Sequence, residues 1–98
     1  AFRELVEGEM IKDYLKHIVI ENKVTSNILI KTNKKNVSKI IGNKKCNSVY
    51  MKNELSVNLK TQEEHIDIDK LEIVLDNDKM VKTDFKEIYA SLYNIYNL

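Results

Sequence analysis

Val37-Ser38-Lys39-Ile40-Ile41-Gly42-Asn43, then Val49-Tyr50-Met51 and Leu55-Ser56-Val57-Asn58-Leu59, are the segments on which fold class turns. Short runs rich in β-branched residues, bounded by Asn, Ser and Gly, read as strands, and Gly42-Asn43 offers a tight reversal between two of them. Upstream, His17-Ile18-Val19-Ile20 continues to Val24, Thr25-Ser26-Asn27 makes a turn, and Ile28 and Ile30 alternate with Leu29 and Lys31. Downstream, Ile66-Asp67-Ile68 and Leu71-Glu72-Ile73-Val74-Leu75 complete the set. Residues 17–81 thus read as five to seven short strands in an antiparallel meander. A helix precedes them over residues 1–16, where Phe2, Leu5, Val6, Met10, Ile11, Tyr14 and Leu15 fall at steps of three and four, weakened at Gly8. Another follows over residues 84–98. The expectation is a mainly β chain, one domain over residues 1–98, built as a small barrel or a sheet with a helix on one face.

Length and composition narrow the function classes. A chain of 98 residues with 43% hydrophobic content holds one core and is not disordered. Its net charge of +1 exerts no overall pull on nucleic acid or membrane, but charge is segregated along the chain. Residues 22–53 hold eight lysines (23, 31, 34, 35, 39, 44, 45, 52) and no acid. Residues 54–78 hold eight acids against Lys60 and Lys70. Such segregation builds a basic face beside an acidic one, unless the lysines only solvate strand edges. Apolar runs are too short to span a bilayer.

No motif specifies a reaction. His17 and His65 lack ligand-spaced partners, and the carboxylate pairs Asp67/Asp69 and Asp76/Asp78 do not continue into a calcium loop. Cys46, the lone cysteine, sits among cations but has no base or oxyanion motif, and it forms no internal disulfide. Lys45 stands where a KH-type phosphate loop needs its second glycine. The expectation is a chain that is not an enzyme, with no catalytic residue, cofactor or metal. Asn36-Val37-Ser38 is a glycosylation sequon of low specificity. A weak nucleic-acid contact is assigned to Lys31, Lys34, Lys35, Lys44 and Lys45, with Tyr50 the single aromatic left for the sheet.

The last segment, Asp84-Phe85-Lys86-Glu87-Ile88-Tyr89-Ala90-Ser91-Leu92-Tyr93-Asn94-Ile95-Tyr96, carries a capping box at Asp84/Glu87. Phe85, Ile88, Leu92 and Ile95 form a heptad-spaced seam, widened by Tyr89, Tyr93 and Tyr96. That is more apolar surface than a small domain covers, and it points to a partner chain. Together with Glu9-Met10-Ile11-Lys12-Asp13-Tyr14-Leu15 leading into Val19 and Val24, this closing helix resembles the smallest subunit of replication protein A and its relatives in telomere-associated trimers. Departures are Asn22, and the lack of any glycine after Gly42, where that family carries glycines.

The resemblance implies an OB-like barrel and a non-catalytic subunit that scaffolds a single-stranded-DNA-binding complex in replication or at telomeres, in the nucleus. It implies larger OB-fold subunits as partners, joined in a helix bundle through Phe85, Ile88, Tyr89, Leu92, Ile95 and Tyr96, with single-stranded DNA touched weakly or indirectly. Two alternatives stay open at this level. One is the ectodomain of a surface or pilus-like protein trimmed of its anchor. The other is a small inhibitor or immunity-type domain whose acidic half meets a basic partner.

Overall fold

The computed structural model describes the backbone of residues 2–96 and the side chains of residues 6–94. Helix α1 spans Phe2–Glu21. Its buried stripe is Ile11, Tyr14, Leu15, Ile18 and Val19, the 3.6-residue period carried without a break through the segment expected to be the first strand. Burial of Ile18 and Val19 on the same face as Leu15 outweighs the β preference of the Ile-Val-Ile run. The helix stops in a Schellman motif. Lys23 takes the left-handed position at φ 54, Val24 N–H donates to Val19 O at 3.0 Å, and Lys23 N–H donates to Ile20 O at 3.3 Å.

Strand β1 (Asn27–Thr32) follows, then a single 3-10 turn at Lys34–Asn36 running into α2 (Val37–Ile41). A turn at residues 42–45 leads into α3 (Cys46–Leu55), and β2 (Asn58–Glu63) returns parallel to β1. Strands β3 (Lys70–Leu75) and β4 (Met80–Asp84) form an antiparallel hairpin, with β3 antiparallel to β1. The sheet order is β2-β1-β3-β4, and α4 (Phe85–Tyr96) closes the fold.

The structure is therefore α/β, 53% helical and 26% strand, with one open mixed sheet. The expected mainly β chain, the OB-like barrel and the meander are all overturned. The β1–β2 pair is parallel and needs a crossover, which α2 and α3 supply. No barrel closes, because β2 and β4 stand at opposite edges. The segments read as strands at 37–41 and 49–51 lie in helices, because their inward positions suit a helix as well as a strand. Val37, Ile40 and Ile41 are three and four apart, and the buried Asn47 and Met51 are one turn apart. Ile66-Asp67-Ile68 is a loop tied down by side chains: Asn33 Nδ2 donates to Ile66 O at 3.0 Å and Asn36 Nδ2 to Ile68 O at 2.6 Å. Asn36 is buried by that bond, so its sequon is not accessible.

One core unites the fold. Ile28, Ile30, Leu59, Leu71, Ile73 and Leu75 line one face of the sheet and meet Ile11, Leu15, Ile40, Met51, Ile88 and Leu92 from the helices. The closing helix is thus part of this domain's own core. Its cap forms as expected at Asp84, whose Oδ1 accepts from Glu87 N–H at 2.7 Å. Ile88 and Leu92 are wholly buried, and Phe85 and Tyr89 pack partly buried against the same core. These four members of the expected assembly seam face inward. The side chains of the other two, Ile95 and Tyr96, lie outside the described residues. Tyr93 is 69% exposed.

The two glycines should respond oppositely to alanine. Gly8 is mid-helix, and a Cβ there meets only Lys39 O at an ordinary 3.6 Å. Gly8→Ala is expected to raise stability by about 0.5–1 kcal/mol through helix propensity. Gly42 has φ +91, and a Cβ would lie 2.7 Å from Cys46 Sγ and 2.9 Å from Asn47 N. Gly42→Ala is expected to cost at least about 1–3 kcal/mol. Urea denaturation of both variants checks the pair.

The β3–β4 turn supplies a pH-dependent tie. Asp76 Oδ2 accepts from Thr25 N–H at 2.8 Å and Ser26 N–H at 3.1 Å, with the Ser26 and Thr25 hydroxyls at 3.2 and 3.4 Å. These bonds, the Thr25 N–H foremost, hold its carboxyl below the ordinary 3.8. A carboxyl lowered in the folded state stabilises fully above its ordinary value, and that contribution disappears as pH falls through the lowered value. Asp76→Ala should therefore be less stable than the parent at pH 7. The difference should close towards pH 2.5, as read by urea midpoints across that range.

Candidate functional site

The turn between α2 and α3 is where the chain departs most from relaxed geometry. Gly42 (φ 91), Lys44 (φ 53) and Lys45 (φ 62) all have positive φ, two of them without glycine's freedom. Buried polar contacts hold the turn in place. Asn47, 1% exposed, donates from Nδ2 to Gly8 O and to Ile40 O, each at 3.0 Å, and so ties α3 to α1 and α2. Lys44 and Lys45 are left projecting into solvent at the start of α3.

Two concavities meet at this turn and share Lys45. A groove of about 1140 Å³ runs between α1, α2 and the turn, lined by Lys35, Lys39, Lys44 and Lys45 with Glu9 as its acid. A cavity of about 370 Å³ lies between α3 and β2, lined by Lys45, Lys52 and Lys60 with Ser48, Asn53 and Asn58 and no acid. The groove's charge is partly neutralised. Lys39 Nζ pairs with Glu7 Oε2 at 2.9 Å and lies 4.7 Å from the Phe85 ring centre. Glu9 pairs with Lys12 at 2.6 Å, a bond that raises the Lys12 ammonium above its ordinary value. Lys35, Lys44, Lys45, Lys52 and Lys60 make no ion pair among the described residues. The result is a concave surface with unneutralised positive charge, suited to holding an extended anion.

Of the lysines expected to contact nucleic acid, Lys35, Lys44 and Lys45 come together here. Lys34 lies exposed one residue before the groove, outside its lining. Lys31 faces away from the helices on the other side of the sheet, since its neighbours Ile30 and Thr32 point into the core. Tyr50 is not a free stacking platform: it packs partly buried against the core with Lys12 Nζ 4.7 Å from its ring centre. Sequence reasoning missed Lys52, Lys60, Asn53 and Asn58. Lys45 and Lys52 are seven residues apart, a helix-face signal that is legible only if 46–55 is read as helix.

Chemistry beyond charge is sparse. His17 pairs with Glu21 at 2.8 Å on the surface of α1, and His65 is exposed in the loop after β2. Among the described residues, no group of three His, Cys, Asp or Glu side chains is placed to hold a metal ion. Among the same residues, no helix is long and apolar enough to cross a membrane. Tyr14, buried beneath α4, has its hydroxyl pushed above the ordinary value by desolvation, opposed by a bond to Thr83. Its place is in the core.

Stability and charge pull against each other at Lys45. Left-handed geometry costs a side-chain-bearing residue roughly 1–2 kcal/mol, and glycine escapes that cost at the expense of unfolded-state entropy. Lys45→Gly is expected to leave stability unchanged or raise it by up to about 1 kcal/mol in urea denaturation, while removing the cation shared by both concavities. A loss beyond that range would show that the Lys45 side chain itself supports the turn.

Compared with protein-family models, curated proteins and solved structures, the chain matches none of them.

Proposed function

We propose that this chain is a non-catalytic nucleic-acid-binding module that engages phosphates through the lysine face of α2, the 42–45 turn, α3 and the edge of β2. One observation carries the reading. Five lysines at 35, 44, 45, 52 and 60, with no ion pair among the described residues, line two adjoining concavities whose one acid among those residues, Glu9, is already paired. Isolated surface lysines are commonplace, but convergence on a shared concave surface without compensating acids is not how a merely solvated face is built. Backbone strain at Lys44 and Lys45 adds support, because strained side-chain-bearing residues concentrate at binding sites.

Contact is expected to be mainly with the phosphate backbone. Among the described residues no aromatic side chain lines either concavity, so they give base stacking no platform. Assembly through the closing helix is not part of this reading, since Ile88 and Leu92 are occupied within the domain.

The test is salt-dependent binding to a fluorescent oligonucleotide, followed by anisotropy. Five phosphate contacts predict a log-log salt slope of about −3.5 on single strands or −4.5 on duplex. The combined variant Lys44→Ala, Lys45→Ala, Lys52→Ala should lower that slope by about two to three units. Lys79→Ala on the β3–β4 turn should leave it unchanged. Equal effects at both places would sink the reading, because binding would then follow overall charge and not this face.

A further inference from the structure

The arrangement of α2 and α3 goes further than a basic surface. Two helical segments, residues 34–41 and 46–55, are joined by a four-residue turn that begins with glycine. They are locked to each other, because the Asn47 amide on α3 bonds the Ile40 carbonyl at the end of α2. A helix pair joined by a short glycine-bearing turn and fixed in angle is the framework that presents a helix to a DNA groove.

Helix α3 has two unlike sides. Asn47 and Met51 are buried beneath it. On the opposite side Ser48, Val49, Lys52 and Asn53 fall within one arc, spaced at one, four and five residues from the first; Lys45 precedes them in the turn, and together they form the α3 wall of the open concavity beside β2. Val49 is 51% exposed, an apolar residue left in water on an otherwise polar stripe. The acid of this helix, Glu54, projects about 100° beyond the edge of that arc. A ten-residue helix is about 15 Å long and about 10–12 Å across, which fits a major groove about 12 Å wide. The stripe also holds the donor types that groove rewards: Asn for adenine, Lys for guanine and an exposed methyl-bearing residue for thymine.

We infer that residues 34–55 form a helix-turn-helix that docks on duplex DNA, with α3 in the major groove. Ser48, Val49, Lys52 and Asn53 face the base edges. Lys35, Lys44, Lys45 and Lys60 hold phosphates on either side. The inference rests on the nucleic-acid reading above and narrows it. It selects duplex DNA over a single strand, since no aromatic platform lies along the stripe. It selects DNA over duplex RNA, whose deep, narrow major groove does not admit a helix.

The experiment is selection of the full chain on a random duplex DNA library, followed by anisotropy with the recovered duplex, its separated strands and the RNA duplex of the same sequence. The expected result is convergence on a short motif and tighter binding to the DNA duplex than to either alternative. Asn53→Ala should lose about tenfold in affinity for the recovered site and nothing on an unrelated duplex. A major-groove ligand should displace the chain, and the minor-groove ligand netropsin should not. Asn53 is exposed and bonded to nothing in the core, so circular dichroism of that variant should match the parent. Equal or tighter binding to single strands or RNA, a library that fails to converge, an indifferent Asn53→Ala or displacement by netropsin would each overturn the helix-turn-helix while leaving a phosphate-binding face. No binding to any nucleic acid would overturn the broader reading as well.

Discussion

The fold hangs on one buried amide. Asn47 sits where α1, α2 and α3 cross, and its two N–H groups bond carbonyls of the other two helices. Ile40 O belongs to the last turn of α2, where the helix offers it no N–H donor, so the bond satisfies a group that would otherwise be buried bare. Gly8 O already serves its own helix and uses its second lone pair. An apolar residue at 47 would leave the Ile40 carbonyl buried and unpaired, at a cost of about 1–3 kcal/mol, and Gly8 O with its helix bond alone. The sheet depends on this crossing in turn, because α2 and α3 are the connection that brings β2 alongside β1.

The same bond sets the character of the surface above it. Holding Asn47 inward fixes the rotation of α3, and that rotation turns Ser48, Val49, Lys52 and Asn53 outward. It also forces the chain from Ile41 to Cys46 into few residues, at the expense of positive φ at Lys44 and Lys45. Charge on the neighbouring helices is handled differently. Glu7 binds Lys39 and the Tyr89 hydroxyl, knitting α1, α2 and α4 together, and Glu9 binds Lys12. Lys12 and Lys39 are thus partnered, whereas Lys35, Lys44 and Lys45 around the turn make no ion pair among the described residues.

How much of this was legible in the sequence depended on periodicity. Long segments declared themselves: the core of α1, the closing helix with its Asp84 cap, and the strands at Ile28–Ile30 and Leu71–Leu75. Short segments did not. Val37–Ile41 has only three apolar positions, and in five residues a period of two and a period of 3.6 look alike. Cys46–Leu55 hid its inward face behind Asn47, a polar residue no hydrophobic pattern would place in a core. With both helices taken for strands, a parallel pair became a meander and an open sheet became a barrel. The basic residues were found as a run along the chain that included Lys52, yet its place beside Lys60 in one concavity came only from the geometry of α3 and β2. The closing helix was read correctly as a helix, but Ile88 and Leu92, taken as free for a partner, are buried in the domain's own core. A sequence does not display how much neighbouring surface is waiting to cover such a helix, and here α1 and β4 were.

The parallel β1–β2 pair has a bearing on how the molecule comes together in time. Asn27 pairs with Asn58 and Thr32 with Glu63, so each contact closes a loop of 31 residues, and the antiparallel partners of β1 lie farther still along the chain. Loops of that length close against a sizeable entropic barrier, and folding slows as such contacts come to dominate. The crossover helices shorten the effective loop only once they are packed, so the β1–β2 pair depends on the α2–α3 corner. During synthesis β1 emerges well before either neighbour exists. For that interval α1, whose Ile11 and Leu15 share the core with Ile28 and Ile30, is the element of this fold already made that can cover them.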